Sequence, residues 1–79
     1  MGNPYYLKAC TTLFQNIKGG AKQLEVENDV EYVNGDTIII EHFDEEKQRH
    51  TGAWIPVEII DTCLTKRNTI ALQIKEIRF

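Results

Sequence analysis

A lysine and a carboxylate stand three positions apart, at Lys22 and Glu25, just after the Gly19-Gly20 break. An ammonium offers three hydrogen-bond donors and a carboxylate only acceptors. Held around one hollow, the pair could grip a nucleobase from two sides. Lys22 would donate to a base carbonyl or a phosphate, and Glu25 would accept from an exocyclic amine such as cytosine N4. Residues three apart in a strand point to opposite faces, so this arrangement requires Gly20 to turn Lys22 back, which a residue without Cβ permits. As a plain surface ion pair, the same two side chains would contribute under about 1 kcal/mol.

Other chemistry is sparse. Tyr5, Tyr6, Tyr32 and Trp54 are candidate stacking surfaces for a base, although such residues in a small barrel are more often core or rim. His42 and His50 lack a second ligand pair at metal spacing, so no zinc site is expected. Asp44-Glu45-Glu46 does not follow the alternating oxygen ligands of a calcium loop. There is no recognisable Ser-His-Asp or Cys-His arrangement and no phosphate-cradling GxxxxGK. Cys10 and Cys63 are far apart, with no CxxC, and read as two half-buried free thiols; a disulfide between them would depend on their Cα separation.

These residues must be positioned by short elements. Tyr5 to Cys10 reads as a first strand. Thr11-Thr12 offers a helix N-cap, with Thr12 and Gln15 at capping-box spacing. Leu13, Phe14 and Ile17 share a helical face, and Lys18 followed by Gly19-Gly20 ends that helix. From Gln23 to Asn28, Leu24 and Val26 alternate with Glu25 and Glu27, as in a half-buried strand. Asn34-Gly35 signals a turn ahead of Asp36. Asp36 to Phe43 carries Ile38-Ile39-Ile40, apolar on both faces, and is expected to be central.

Asp44 to Arg49 is a charged loop that Thr51-Gly52 closes. Trp54 to Asp61 places Ile55, Val57 and Ile59 inward, and Pro56 suggests an edge or a bulge. After a polar turn at Thr65 to Asn68, Ile70, Leu72 and Ile74 share a face. Ile77 and Phe79 take the opposite parity, which suggests a bulge near Lys75-Glu76. The order β-α-β-β-β-β lacks the crossover helices of a doubly wound sheet. It specifies a mainly β (α+β) fold: a strongly curved, mostly antiparallel sheet closing into a small barrel, with the helix plugging one end.

Seventy-nine residues make one domain, 1–79, near the lower size limit for independent folding. No apolar run has the length to cross a bilayer and the N-terminus lacks a signal pattern, so a cytoplasmic protein with no membrane partner is expected. The net charge of -3 conceals a strong asymmetry, because every charged residue from Gln23 to Glu46 is acidic while all nine Lys and Arg lie elsewhere. A protein held mainly by phosphates would want a continuous basic face. Here one forms only if Lys8, Lys18, Lys22, Lys66, Arg67, Lys75 and Arg78 converge on folding.

In order along the chain, Leu7-Lys8, Phe14-x-x-Ile17-x-x-Gly20-x-Lys22-x-x-Glu25, Asn28-Asp29, Gly35-Asp36 and Thr51-Gly52 resemble the ASCH (activating signal cointegrator homology) superfamily of PUA-like β-barrels, and within it the small bacterial and phage members. The resemblance runs from Tyr6 to Ile74. It implies a cleft between helix and barrel that binds RNA or a modified nucleotide, with no cofactor and no metal. Gly20, Lys22 and Glu25 match the family's GxKxxExR motif, but Glu27 stands where that motif has arginine. Carried over, Lys22 and Glu25 would lie at the floor of the cleft, Lys8 and Thr51 near its wall, and Tyr5 as a stacking surface, with Gly20, Gly35 and Asp36 as structural positions. One branch hydrolyses N4-acetylcytidine with a lysine, a threonine and a glutamate. Lys22 matches that lysine, Glu25 occupies the threonine position, and the helical segment bearing the acid is missing. The expected function is therefore a binding module. The alternatives are an amidohydrolase acting on N4-acetylcytidine-type nucleosides, and an adaptor whose acidic face meets a protein partner.

Overall fold

The computed structural model describes residues 4–78, so the parity expected of Phe79 lies outside it. The elements follow the expected order: β1 (Tyr5–Ala9), α1 (Thr11–Lys18), β2 (Gln23–Glu27), β3 (Thr37–Asp44), β4 (Arg49–Leu64) and β5 (Thr69–Glu76). They form one curled half-barrel sheet, ordered β1-β3-β4-β5-β2. β1 pairs in parallel with β3, and the other three pairings are antiparallel. β1 and β2 are the two margins of the sheet and do not pair with each other.

Alternation builds the core. Ile38 and Ile40 of β3, Val57 and Ile59 of β4 and Leu72 of β5 are essentially without solvent exposure on the concave side. Leu24 and Val26 of β2 join them, while Glu25 and Glu27 face out as their period-two spacing requires. Phe14 and Ile17 bring the apolar stripe of α1 onto the same core.

The two ends of α1 are made differently. The N-cap is Cys10 and no side chain caps the helix, so the expected Thr12–Gln15 capping box does not form. The Thr11 hydroxyl is instead 2.8 Å from His42 Nε2. The C-terminal end behaves as expected. Gly20 N–H donates to the Ile17 carbonyl and Ala21 N–H to the Asn16 carbonyl, both at 3.0 Å, which is the Schellman pattern. Gly20 carries a φ of 105° there. A Cβ at Gly20 would meet nothing within 4 Å, so the dihedral, not a close backbone approach, calls for glycine.

β4 has 16 residues and would measure about 53 Å if straight, yet the molecule's longest extent is 32 Å. Two irregularities bend it. Between the pairs Glu41↔Trp54 and Phe43↔His50, β4 spends four residues where β3 spends two, so Thr51, Gly52 and Ala53 face His42 alone. Thr51-Gly52 therefore lies inside a strand and not in the loop expected from its composition; Gly52, at φ 90°, absorbs the bend. The second irregularity is Ile60, the extra residue between Ile59↔Ile74 and Asp61↔Gln73. The bulge expected near Lys75-Glu76 does not form: β5 stays in register from Ile74 through Glu76, and Ile77 lies past the end of the strand.

Pro56 sits in the middle strand of the sheet and not on an edge. Its carbonyl accepts from Ile77 N–H, just past the end of β5. A strand residue's N and O point the same way, so the missing N–H of Pro56 faces the place where the ladder stops. β4 pairs with β3 over Arg49–Glu58 and with β5 over Val57–Leu64, so only Val57 and Glu58 are flanked by both. Cys10 and Cys63 are free thiols, and exposed where half-burial was expected. No helix among the described residues is long and apolar enough to cross a membrane.

Candidate functional site

The last turn of α1, the Gly19–Lys22 reversal and the end of β5 enclose a hollow of about 510 Å³. Its apolar base includes Ile17, Val57 and Ile74, all buried. Its rim carries four cations, Lys18, Lys22, Lys75 and Arg78, and one acid, Glu76, whose Oε2 is 3.6 Å from Arg78 Nε. Two of these cations have a placement that follows from the backbone. Lys18 occupies the last helical turn, where positive charge complements the helix dipole. The Lys22 carbonyl accepts from Ile74 N–H at 2.9 Å, which extends the β2–β5 register by one residue and gives Lys22 the inward parity of Leu24. A helix C-terminus adds about half a negative charge. The rim's net three positive charges outweigh it.

A second concavity, about 490 Å³, lies between the margins β1 and β2. Leu7 and Leu13 are half-buried in it, Tyr6 and Val30 are exposed, and Lys8, Glu25, Glu27 and Asp29 line it. Here the structure separates what the sequence suggested belonged together: Lys22 lines the first hollow, and Glu25 and Lys8 line the second. The reason is parity. The Schellman turn ends early enough for Lys22 to join the strand register, so the rule that residues three apart face opposite sides applies. Glu25 has partners of its own: the Thr69 hydroxyl donates to its Oε2, and Arg67 Nη2 lies 3.6 Å from Oε1. Lys8 Nζ sits 4.4 Å from the centroid of the Phe43 ring, on the convex side of the sheet.

The remaining expected positions lie elsewhere. The Tyr5 ring packs 5.0 Å from that of Tyr32, and its hydroxyl donates to the Glu31 carbonyl at 2.9 Å. Burial raises the Tyr5 pKa above the ordinary phenol range, and the nearby Asp36 and Glu31 carboxylates act in the same direction. Burial likewise raises that of Tyr32, helped by Asp29. Tyr5 is therefore packed against the core and lines neither concavity, while Tyr6 and Trp54 are the exposed aromatics. Gly35 and Asp36 belong to a turn. Gly35, at φ 93°, is the third residue of a Val33–Asp36 turn closed by Asp36 N–H to the Val33 carbonyl at 3.0 Å. Gly35 N–H and the Asp36 carbonyl both bond Ile59.

Sequence reasoning missed one cluster. Thr51 Oγ1 lies 3.0 Å from His42 Nδ1, opposite the 2.8 Å contact of Thr11 with Nε2, and the imidazole stacks on Phe14 at 5.0 Å. Thr51 thus helps tie the bulge of β4 to the start of α1 through His42, and lines neither concavity. The signal was the even number of residues separating His42 from the inward Ile38 and Ile40, which sends its ring toward the helix. Among the described residues, no group of three or more His, Cys, Asp or Glu could hold a metal ion.

The fold is a single-helix, half-barrel β protein with a basic hollow under the end of α1 and an acid-rimmed one between β1 and β2; a further concavity of about 500 Å³ lies among Cys10, Thr11, Thr12 and Asp44, Glu45, Glu46. The chain matches, over residues 5–73, the family described as "Domain of unknown function (DUF3850)", and it belongs to that family. No curated protein matches it.

Proposed function

We propose that this protein is a binding module for a nucleotide, or for one exposed nucleotide of an RNA, and that its site is the basic hollow between α1 and the sheet. One observation carries the reading: four of the chain's nine cations meet around a single hollow, in a protein whose net charge is -3. Such a rim suits one compact anionic group, and the apolar base of Ile17, Val57 and Ile74 suits the flat body of a base or ribose. The charge layout disfavours a long phosphate track, because the stretch from Glu25 to Glu46 is acidic throughout. The resemblance to PUA-like RNA binders supports the same cleft. Lys22 is the residue common to both lines of reasoning.

The amidohydrolase alternative needs a lysine and a catalytic acid or nucleophile acting on one carbonyl. The separation of Lys22 from Glu25 into two hollows weighs against it. The test is a calorimetric titration of the intact chain with cytidine, cytidine monophosphate and a short single-stranded RNA. The monophosphate should bind more tightly than the nucleoside, and Lys22→Glu combined with Lys75→Glu should weaken that binding by about tenfold or more, as expected for losing charge-assisted hydrogen bonds. Equal affinities for the wild type and the double variant would sink the proposal.

A further inference from the structure

We propose that the gap between β1 and β2 is a docking slot for an extended, basic peptide segment of a partner protein, which adds as a strand along β2. The occupant follows first from the backbone. The Lys22 carbonyl bonds Ile74, and alternate residues of an antiparallel strand face the same neighbour. The main-chain groups of Leu24 and Val26 are therefore committed to β5, while those of Gln23, Glu25 and Glu27 face the gap, where β2 has no partner strand. An added polypeptide strand supplies donors and acceptors at the spacing such an edge requires.

Direction follows from the sheet. Along β1-β3-β4-β5-β2 one pairing is parallel and three are antiparallel, so β1 and β2 run oppositely. A strand antiparallel to β2 is parallel to β1, the sense β3 already has on the far side of β1.

Side chains set the chemistry. Inward-facing positions of the added strand would cover Leu7 and Leu13, with Val30, at 38% exposure, and the 67%-exposed Tyr6 at the margins. Outward-facing positions would meet the lip. There Glu25 is already satisfied by Thr69 and Arg67, and the Lys8 ammonium is drawn over Phe43. Glu27 and Asp29 have no cationic partner within 4.0 Å among the described residues, so the lip is acidic. Charged side chains on an open edge guard it against indiscriminate strand addition. A guard of one sign admits a strand of the other. The partner segment therefore alternates apolar and basic residues.

The experiment uses the intact chain and a short capped peptide of alternating lysine and valine, followed by amide hydrogen exchange. Peptide binding should slow exchange at Gln23, Glu25 and Glu27 by about tenfold or more, since these amides gain partners. The same peptide N-methylated at alternate residues should not protect them, nor should an alternating glutamate and valine peptide. Absence of protection at millimolar peptide, or equal protection by the N-methylated form, overturns strand addition. Equal protection by the acidic peptide overturns the charge assignment. Glu27→Lys with Asp29→Lys, both exposed positions, should weaken binding of the basic peptide about tenfold; unchanged affinity also overturns that assignment. Because this slot shares no residue with the basic hollow, failure here leaves the nucleotide reading standing, and the reverse holds too.

Discussion

The hollow under the end of α1 and the gap between β1 and β2 are nearly equal in size, about 510 and 490 Å³, but they are assembled in different ways. The basic hollow draws its cations from two stretches far apart in the chain, Lys18 to Lys22 and Lys75 to Arg78, brought together by the pairing of β2 with β5. The gap takes its acids from one local run, Glu25 to Asp29, and its shape from the absence of a pairing. The first is a product of the hydrogen-bonded sheet and the second of its interruption. A perturbation should therefore reach the two places by separate routes, unless it strikes the core they share.

Leu72 is that shared core. It has no exposure and pairs across β5 with Leu24 of β2. Leu72→Ala should cost about 2–5 kcal/mol through lost transfer free energy and the cavity it leaves, measured by urea unfolding, and should weaken both sites together. A loss under about 1 kcal/mol would mean that the two sides are held by something else. Gly20→Ala is aimed at the basic hollow alone. The space is open, but φ 105° is unfavourable for an L-residue, so about 1–2 kcal/mol of stability should be lost, seen as a lower Tm with peptide docking at the gap unaffected. Arg67→Ala should have the smallest effect. Its side chain is 81% exposed and its ion pair with Glu25 is long, at 3.6 Å, so stability should change by under about 1 kcal/mol. It would release the Glu25 charge to the lip and so tighten binding of the basic peptide in the exchange experiment.

The same contrast explains what the sequence could disclose. Element order, the inward sets of β2, β4 and β5, the Gly20 helix stop and the Gly35 turn were legible, because each rests on local periodicity or on a local dihedral demand. The acidic lip was visible as a run of like charge. The basic hollow was visible only as scattered cations that could converge, because about fifty residues separate its contributors and only the register brings them together. The expected Lys22–Glu25 partnership failed for a related reason: spacing gives two residues a separation but not a parity, and the strand register begins at Lys22. The bulges were misplaced because a long strand bends where its partners require it, at Thr51 to Ala53 and at Ile60, and not where its own apolar phase slips. Thr51 was singled out from its motif, but its role depends on His42, a contact across two elements that no one-dimensional pattern encodes.

One consequence concerns β4. Only Val57 and Glu58 pair with both β3 and β5, with single bonds beyond the ladder ends at Pro56 and Ile59, so this strand is a spine with two leaves, one carrying β3, β1 and α1, the other β5 and β2. The leaves join along the spine and face each other at β1 and β2 with no rung between them. A book bound in this way can open at its fore-edge while every page stays sewn. The distance between its covers is set by side-chain packing, which yields at lower cost than a ladder of backbone bonds.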